Sequence, residues 1–324
     1  MTKKTIVLRG SQLHPVTDER NSAIAELAPE YSILIEPDDD VLADAAESIE
    51  IVFGSLPGPV QDRATALKWV QLQGAGADRY ISFARERGIT VTNASGVHAE
   101  PISEHLLAML LAFARELPLA FRHQSSHSWK YDRHPEVFEL SGKRALVVGT
   151  GAIGDAFARK AAALGVEIVG VRRNAPGDGR AAAPYTKMVG PAALHDELPD
   201  ADFLVITLPL TDETRGMFGA AEFAHMKKTA YVFNIGRGPI IDQDAMIDAL
   251  RSGRIAGAGL DVFDPEPLPE DSPLWEMENV IVTTHYAGLT PRYAERLWQI
   301  FLENLGRYVA GESLENVVDV TLGY

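Results

Sequence analysis

Three short loops in this chain carry side chains able to hold an anion and move a proton. They read NIGRG at 234–238, LDVFDPEP at 260–267 and TTHYAG at 283–288. Glu266 and His285 supply the groups for general acid–base chemistry, in which a hydrogen-bonded carboxylate favours the imidazolium and fixes its ring. Arg237 adds a planar fork of donors suited to a carboxylate. Taken singly, each also has an ordinary reading: Arg237 as a surface charge, Glu266 as a turn carboxylate, His285 as the start of a helix.

A fourth pattern is more specific. Gly149, Gly151 and Gly154 stand at the spacing G-x-G-x-x-G within RALVVGTGAIGDAFARKAAALGVEIVGVRR at 144–173. Where that spacing joins a strand to a helix inside a unit of about 30 residues, it marks a dinucleotide site. Gly149 permits the tight turn, Gly151 the approach of a pyrophosphate, and Gly154 close packing of helix on strand. The N–H groups at the helix start, from Gly151 through Ala152 and Ile153 to Gly154, then face the phosphates with the helix dipole behind them. An NAD site usually places Asp or Glu about 20 residues further on, against the ribose hydroxyls. Here Arg172 and Arg173 occupy that place. A guanidinium pairs with a 2′-phosphate that a carboxylate would repel, so NADP(H) is expected over NAD(H).

The elements around these residues follow from apolar patterning. Ala145 to Val148 and Val166 to Val171 are buried-strand candidates on either side of a helix over Asp155 to Leu164, which Gly165 ends. Before them come strands at Thr5 to Leu8, Tyr31 to Glu36, Ile51 to Phe53, Leu67 to Leu72 and Ile89 to Asn93. Helices are expected over Thr17 to Leu27, from Asp38 toward Ser48, and over Pro101 to Arg115. Residues 175–183 read as a flexible loop. Further strands are expected at Phe203 to Leu208, Ala230 to Ile235, Ala256 to Asp261 and Val280 to Thr283, then a closing helix over Arg292 to Tyr308. Alternating strands and helices imply a parallel sheet, whose ligands bind outside the carboxyl ends of the strands. All the polar loops leave candidate strands at that end.

With 324 residues, two domains are the better expectation. The formal net charge of −15 argues against non-specific nucleic-acid binding. The absence of cysteine excludes a disulfide framework, a thiolate nucleophile and a thiolate metal site. His123, His127 and His134 lie in a polar connection over 122–134 without metal-ligand spacing, so no metal is expected. The N-terminal apolar run is too short for a signal peptide, and the longest run, Leu106 to Ala114, is far below a membrane span. The cytoplasm is the simplest location, with no membrane partner.

The segments ELSGKRALVVGTGAIG, LPLTDETRGMF, FNIGRGPIID, AGLDVFDPEPLP and TTHYAGLT, in this order and spacing, resemble the D-isomer-specific 2-hydroxyacid dehydrogenase family over essentially the whole chain. The resemblance implies two Rossmann-like α/β domains with parallel sheets. The cofactor domain, 97–288, is inserted into a substrate domain made of 1–96 plus 289–324. It implies a catalytic set of Arg237, Glu266 and His285 that reduces a small 2-keto acid to its 2-hydroxy acid. Arg237 and His285 then touch both substrate and cofactor. The backbone of Gly74, Ala75 and Gly76 would bind the substrate carboxylate, and Asp261 the nicotinamide carboxamide. Thr207, Pro209, Thr214 and Ile235 would line the cofactor cleft, while Leu260 and Val262 read as core. A two-fold dimer through the helix Pro101 to Arg115 is implied as well.

The chain departs from the family pattern at several places. Arg172 replaces the acidic ribose ligand. Asp155, beside the third glycine, must point away from the pyrophosphate. Thr284 and Tyr286 flank the histidine where proline and a small or aliphatic residue are common; Tyr286 either narrows the pocket, reaches the substrate or packs in the core. Two other activities use the same fold. Formate-oxidising relatives pair the histidine with Gln, so Glu266 argues against that activity, and phosphite oxidation is a minor alternative. A nucleotide-sensing corepressor is the non-enzymatic alternative, which the intact Arg237, Glu266 and His285 set disfavours.

Overall fold

A computed structural model describes residues 3–10, 15–129, 137–177 and 179–321. The chain forms two compact units, Met1–Val97 with Thr290–Tyr324 and His98–Leu289, the second inserted into the first. Each is a Rossmann-like α/β unit with a wholly parallel sheet.

The first unit contains β1 (Thr5–Leu8), β2 (Ser32–Ile35), β3 (Ile49–Phe53), β4 (Trp69–Gln71) and β5 (Thr90–Thr92) in the order β2-β1-β3-β4-β5. β1 and β3 are buried throughout, as parallel strands covered on both faces must be. On one face the closing helix, Tyr293–Ala310, lays Trp298 and Phe301 against Phe53 and Trp69. At the entering ends of β1, β3 and β4 lies an ionic knot. Glu50, 3% exposed, accepts the Tyr31 hydroxyl at 2.7 Å and the Tyr308 hydroxyl at 3.1 Å. Lys4 and Lys68 stand 3.0 Å and 3.5 Å from the same carboxylate.

The second unit contains β6 (Arg144–Val148), β7 (Glu167–Val171), β8 (Lys187–Val189), β9 (Phe203–Ile206), β10 (Tyr231–Asn234), β11 (Gly257–Leu260) and β12 (Val280–Val282). Their order is β12-β11-β10-β9-β6-β7-β8. Alternate residues feed two cores. Leu146, Val148, Leu204, Ile206 and Val232 face one side, and Ala145, Val147, Phe203, Val205 and Phe233 the other. The latter core is closed by the helices Ala99–Ala114 and Ala152–Ala163 through Leu106, Met109, Phe113 and Phe157.

Most elements lie within a few residues of their expected places. Thr17 and Asp38 are side-chain N-caps of the helices Asp18–Leu27 and Asp39–Ala45. Several elements were not singled out from the sequence, among them the helices Gly58–Arg63, Asp78–Arg87, Ala220–His225 and Gln243–Arg251. The helix Leu117–Ser125 runs into the polar stretch read as a connection, and β8 is a three-residue edge strand opened by a lysine. His134 lies outside the described residues. No helix among the described residues is long and apolar enough to cross a membrane, and no group of three or more His, Asp or Glu there can hold a metal ion.

Removing the Glu50 carboxylate leaves two phenols and two ammonium groups at that knot without their acceptor. Glu50→Ala is expected to destabilise the first unit by roughly 3 kcal/mol, read as a lowered urea midpoint; an unchanged midpoint would refute this account of the knot.

Candidate active site

The order of the seven-stranded sheet reverses between β6 and β9, where a doubly wound sheet opens a crevice at its carboxyl edge. The glycine loop leaves β6 at this point. Gly149 turns with φ of +104°, and a Cβ there would lie 2.9 Å from the Thr207 carbonyl carbon. A Cβ on Gly154 would lie 2.1 Å from the Gly149 carbonyl oxygen. At Gly151 it would meet nothing within 4 Å. Gly151 is also the N-cap of the helix Ala152–Ala163 and has no side chain to accept the first-turn N–H groups. That open cradle of backbone donors fits a pyrophosphate.

From the other flank, the Thr207 hydroxyl donates to the Gly149 carbonyl. Pro209 is exposed, and its carbonyl accepts the Thr214 hydroxyl at 2.8 Å. Thr214 also accepts the Thr211 N–H at 2.8 Å, so its side chain builds this loop from within. Ile235, directly after β10, is buried. Arg172 and Arg173 follow β7 and are exposed. Arg173 lies 2.8 Å from Glu213, on the loop after β9.

Asp155 turns toward Tyr185, whose hydroxyl donates to its carboxylate. Burial and this carboxylate push the Tyr185 phenol far above its ordinary value. The departure from the family pattern thus has a local partner that patterning did not reveal.

β10, β11 and β12 lie side by side, so the loops that follow them are neighbours. In the first, the buried Asn234 accepts the Gly236 N–H at 3.0 Å and donates to the Arg237 carbonyl at 3.1 Å. Gly238 packs so closely that a Cβ would lie 1.8 Å from the Phe263 carbonyl oxygen. This contact holds the Arg237 loop against the one bearing Glu266. Glu266 accepts the Phe263 N–H at 2.9 Å through Oε1, and its Oε2 stands 2.8 Å from His285 Nδ1. Nε2 is therefore the ring atom turned away from the carboxylate, on a side chain 49% exposed. Burial pushes the Glu266 carboxyl up, but the hydrogen bonds from His285 and Phe263 and the charges of His285 and Arg237 outweigh it. The net position is below the usual carboxylate value.

Asp261 is 2% exposed and points into the third loop. It accepts the Thr283 hydroxyl at 2.6 Å and the N–H groups of Tyr286 and Ala287 at 3.1 Å each. Leu260 and Val262 beside it are buried core. Tyr286 is 46% exposed and meets the ring of His105 edge-on at 5.6 Å, so it does not belong to the core.

In the first unit the carbonyls of Gln73, Gly74 and Ala75 are each tied down. They accept the Tyr293 hydroxyl at 2.6 Å, the Ala94 N–H at 3.0 Å and the Asn93 amide at 2.8 Å. Gly74, Ala75 and Gly76 are exposed. Gly74 and Gly76 line a cavity of about 380 Å³ with Arg9, Gly10, Gly54 and Ser55, at the strand-order reversal between β1 and β3.

Patterning did not single out His105, Tyr185, Glu213 or Arg9. His105 had one available signal, a lone imidazole in the apolar helix SEHLLAMLLAFA. Arg9 had another, its place directly after the first strand.

Residues 107–287 match the family model described as D-isomer specific 2-hydroxyacid dehydrogenase, NAD binding domain. The chain is 33% identical over 303 residues to a glyoxylate reductase of Korarchaeum cryptofilum, covering 91% of this chain and 87% of that one. It is similar to the structure of a D-isomer-specific 2-hydroxyacid dehydrogenase from Xanthobacter autotrophicus in complex with NADPH and MES. The identity there is 32%, the TM-score 0.78 and the coverage 100% of both chains. It is also similar to an NADPH-dependent glyoxylate/hydroxypyruvate reductase from Sinorhizobium meliloti in complex with NADP and sulfate. That likeness has 27% identity and a TM-score of 0.74, over 99% of this chain and 100% of the other.

The depressed Glu266 value sets a pH window. Stabilisation from the charged carboxylate is fully present above the ordinary value of about 4.3 and is lost as pH falls through the lower folded-state value. Carbon NMR of the Glu266 carboxyl should show a midpoint below about 4.3, moving up in His285→Ala. A wild-type midpoint at or above the ordinary value would contradict the pairing.

Proposed function

Because the chain belongs to the D-isomer-specific 2-hydroxyacid dehydrogenase family, we propose that it reduces small 2-keto acids such as glyoxylate or hydroxypyruvate, with NADPH as the preferred reductant. The observation that carries this reading is the 2.8 Å contact between His285 Nδ1 and Glu266, in the loops beside Arg237.

The nicotinamide supplies the hydride. Hydride addition to the keto carbon leaves negative charge on its oxygen, and a proton must arrive there. His285 donates it from Nε2, while Glu266 holds Nδ1 and stabilises the imidazolium. Such general acid catalysis contributes roughly 10²–10⁴-fold. Arg237 holds the substrate carboxylate and polarises the keto oxygen as charge develops. The backbone N–H groups of Gly74, Ala75 and Gly76 bind the carboxylate. Asp261 accepts from the nicotinamide carboxamide, and Thr207, Pro209, Thr214 and Ile235 line the cleft. Arg172 and Arg173 bind the 2′-phosphate, a group the Xanthobacter relative's NADPH carries.

Two further parts of the reading concern assembly and location. Leu111, Leu117, Phe121 and Trp129 are exposed on and beside the helices Ala99–Ala114 and Leu117–Ser125, and a second copy of the chain covers them in a homodimer. The enzyme works in the cytoplasm.

NADPH oxidation on adding glyoxylate or hydroxypyruvate tests the activity, and a nucleotide sensor would give none. His285→Ala should lower kcat by at least roughly 100-fold with NADPH binding retained; near-normal turnover would remove His285 from the acid role. Arg172→Ala should lower kcat/KM for NADPH by about tenfold or more and leave that for NADH unchanged. A wild-type kcat/KM higher with NADH than with NADPH would overturn the cofactor assignment. Mass measurement in solution should give twice the chain mass, and Phe121→Asp should shift the protein toward monomer.

A further inference from the structure

His285 has a φ of 55°, in the left-handed region. That backbone is costly for a residue bearing a Cβ and persists only where the surroundings over-determine it. The loop around His285 is fastened from several sides. Asp261 binds the N–H groups of Tyr286 and Ala287, the two residues that follow. At the far end, His98 Nδ1 is 2.9 Å from the Gly288 carbonyl oxygen.

His105 reaches the same loop from the helix Ala99–Ala114. Its Nε2 is 3.0 Å from the Thr283 hydroxyl oxygen, and its ring meets Tyr286 edge-on, so it touches the loop on both sides of His285. The proton directions follow from the chemistry of the groups. The Asp261 carboxylate can only accept, so Thr283 spends its one hydrogen on Asp261 at 2.6 Å. The same hydroxyl oxygen must then accept from an Nε2–H of His105. Burial keeps this imidazole below its ordinary value against the opposing charge of Asp261, consistent with a neutral ring protonated on Nε2.

We propose that His105 is a positioning residue, which acts through Thr283 and Asp261 to hold the backbone that aims His285 at Glu266 and at the substrate. The inference rests on the acid role given to His285 above. Donation from His105 orients the Thr283 hydroxyl, and the oriented hydroxyl and two N–H groups together fix the Asp261 carboxylate. The carboxylate in turn fixes the peptide units after His285. Without the Nε2 donor, Thr283 can rotate its hydroxyl toward the Leu260 carbonyl 3.5 Å away, and the carboxylate loses its shortest partner.

The test uses the full-length chain with His105→Ala, His105→Gln, Thr283→Val, Thr283→Ser and His285→Ala. In the ligand-free protein, the Glu266 carboxyl titration by NMR should move up in His105→Ala and Thr283→Val, because a loosened His285 no longer holds it down. It should stay near wild type in His105→Gln and Thr283→Ser, which keep the donor and the hydroxyl. With NADPH and glyoxylate, the first pair should lose roughly 10-fold to 100-fold in kcat, with NADPH Kd within about twofold of wild type. The conservative variants should recover most of that loss.

A titration that does not move in either His105→Ala or Thr283→Val overturns the relay, whatever substrate the enzyme takes. So does a wild-type kcat in both, or an equal loss in His105→Ala and His105→Gln. His285→Ala separates the two ideas. If it is inactive while the relay variants turn over normally, only the relay is lost; if it turns over normally, the acid role itself is lost.

Discussion

Parallel strand pairing is the constraint on which the rest of this molecule depends. Two strands that run the same way cannot be joined by a tight turn, so each connection must cross a face of the sheet and return. Every strand of both sheets then ends on the same edge of its own sheet, and the loops leaving those ends gather there. β10, β11 and β12 are neighbours in the sheet, which is why residues as distant in sequence as 237, 266 and 285 reach one place. Close backbone packing does the rest. Gly238 lets one loop lie against the carbonyl of Phe263, and Asp261 spends its carboxylate on the backbone of the next loop rather than on solvent.

The sequence made the architecture legible for a physical reason. Buried parallel strands are short apolar runs, and the glycine spacing marks a turn where Gly149 and Gly154 have no room for a Cβ and Gly151 leaves the backbone open. It was less informative where structure depends on a partner far along the chain. β8 has three residues and a lysine at an edge, so nothing in its pattern separates it from a loop. The helix Leu117–Ser125 carries its apolar groups outward, and Phe121 at 60% exposure lacks the inward stripe that identifies a surface helix. The residues of the acid–base set were readable as types, but spacing could not establish the 2.8 Å contact between His285 and Glu266. Likewise the role of Asp155 depends on Tyr185, thirty positions later and beyond a loop.

Charge placement separates what the glycine loop can hold from what it prefers. The cradle at Gly151 is backbone, and backbone donors serve any pyrophosphate alike. Discrimination has to come from side chains at the end of β7, and there the chain spends two of its 30 basic residues against a formal net charge of −15. Glu213 already engages one of them, Arg173, at 2.8 Å.

The insertion of one unit within the other has a consequence for synthesis. A ribosome makes the chain from the N-terminus, and domains generally fold as units while they emerge. All five strands of the first sheet precede the inserted unit, but Trp298 and Phe301, which stack on Phe53 and Trp69, come after it. The five-stranded sheet must therefore wait, one face covered only in part by the helix Asp18–Leu27, while nearly two hundred further residues are translated. The inserted unit carries its own strands in one uninterrupted stretch and has no such wait. The nascent chain is thus most exposed to aggregation between those two moments.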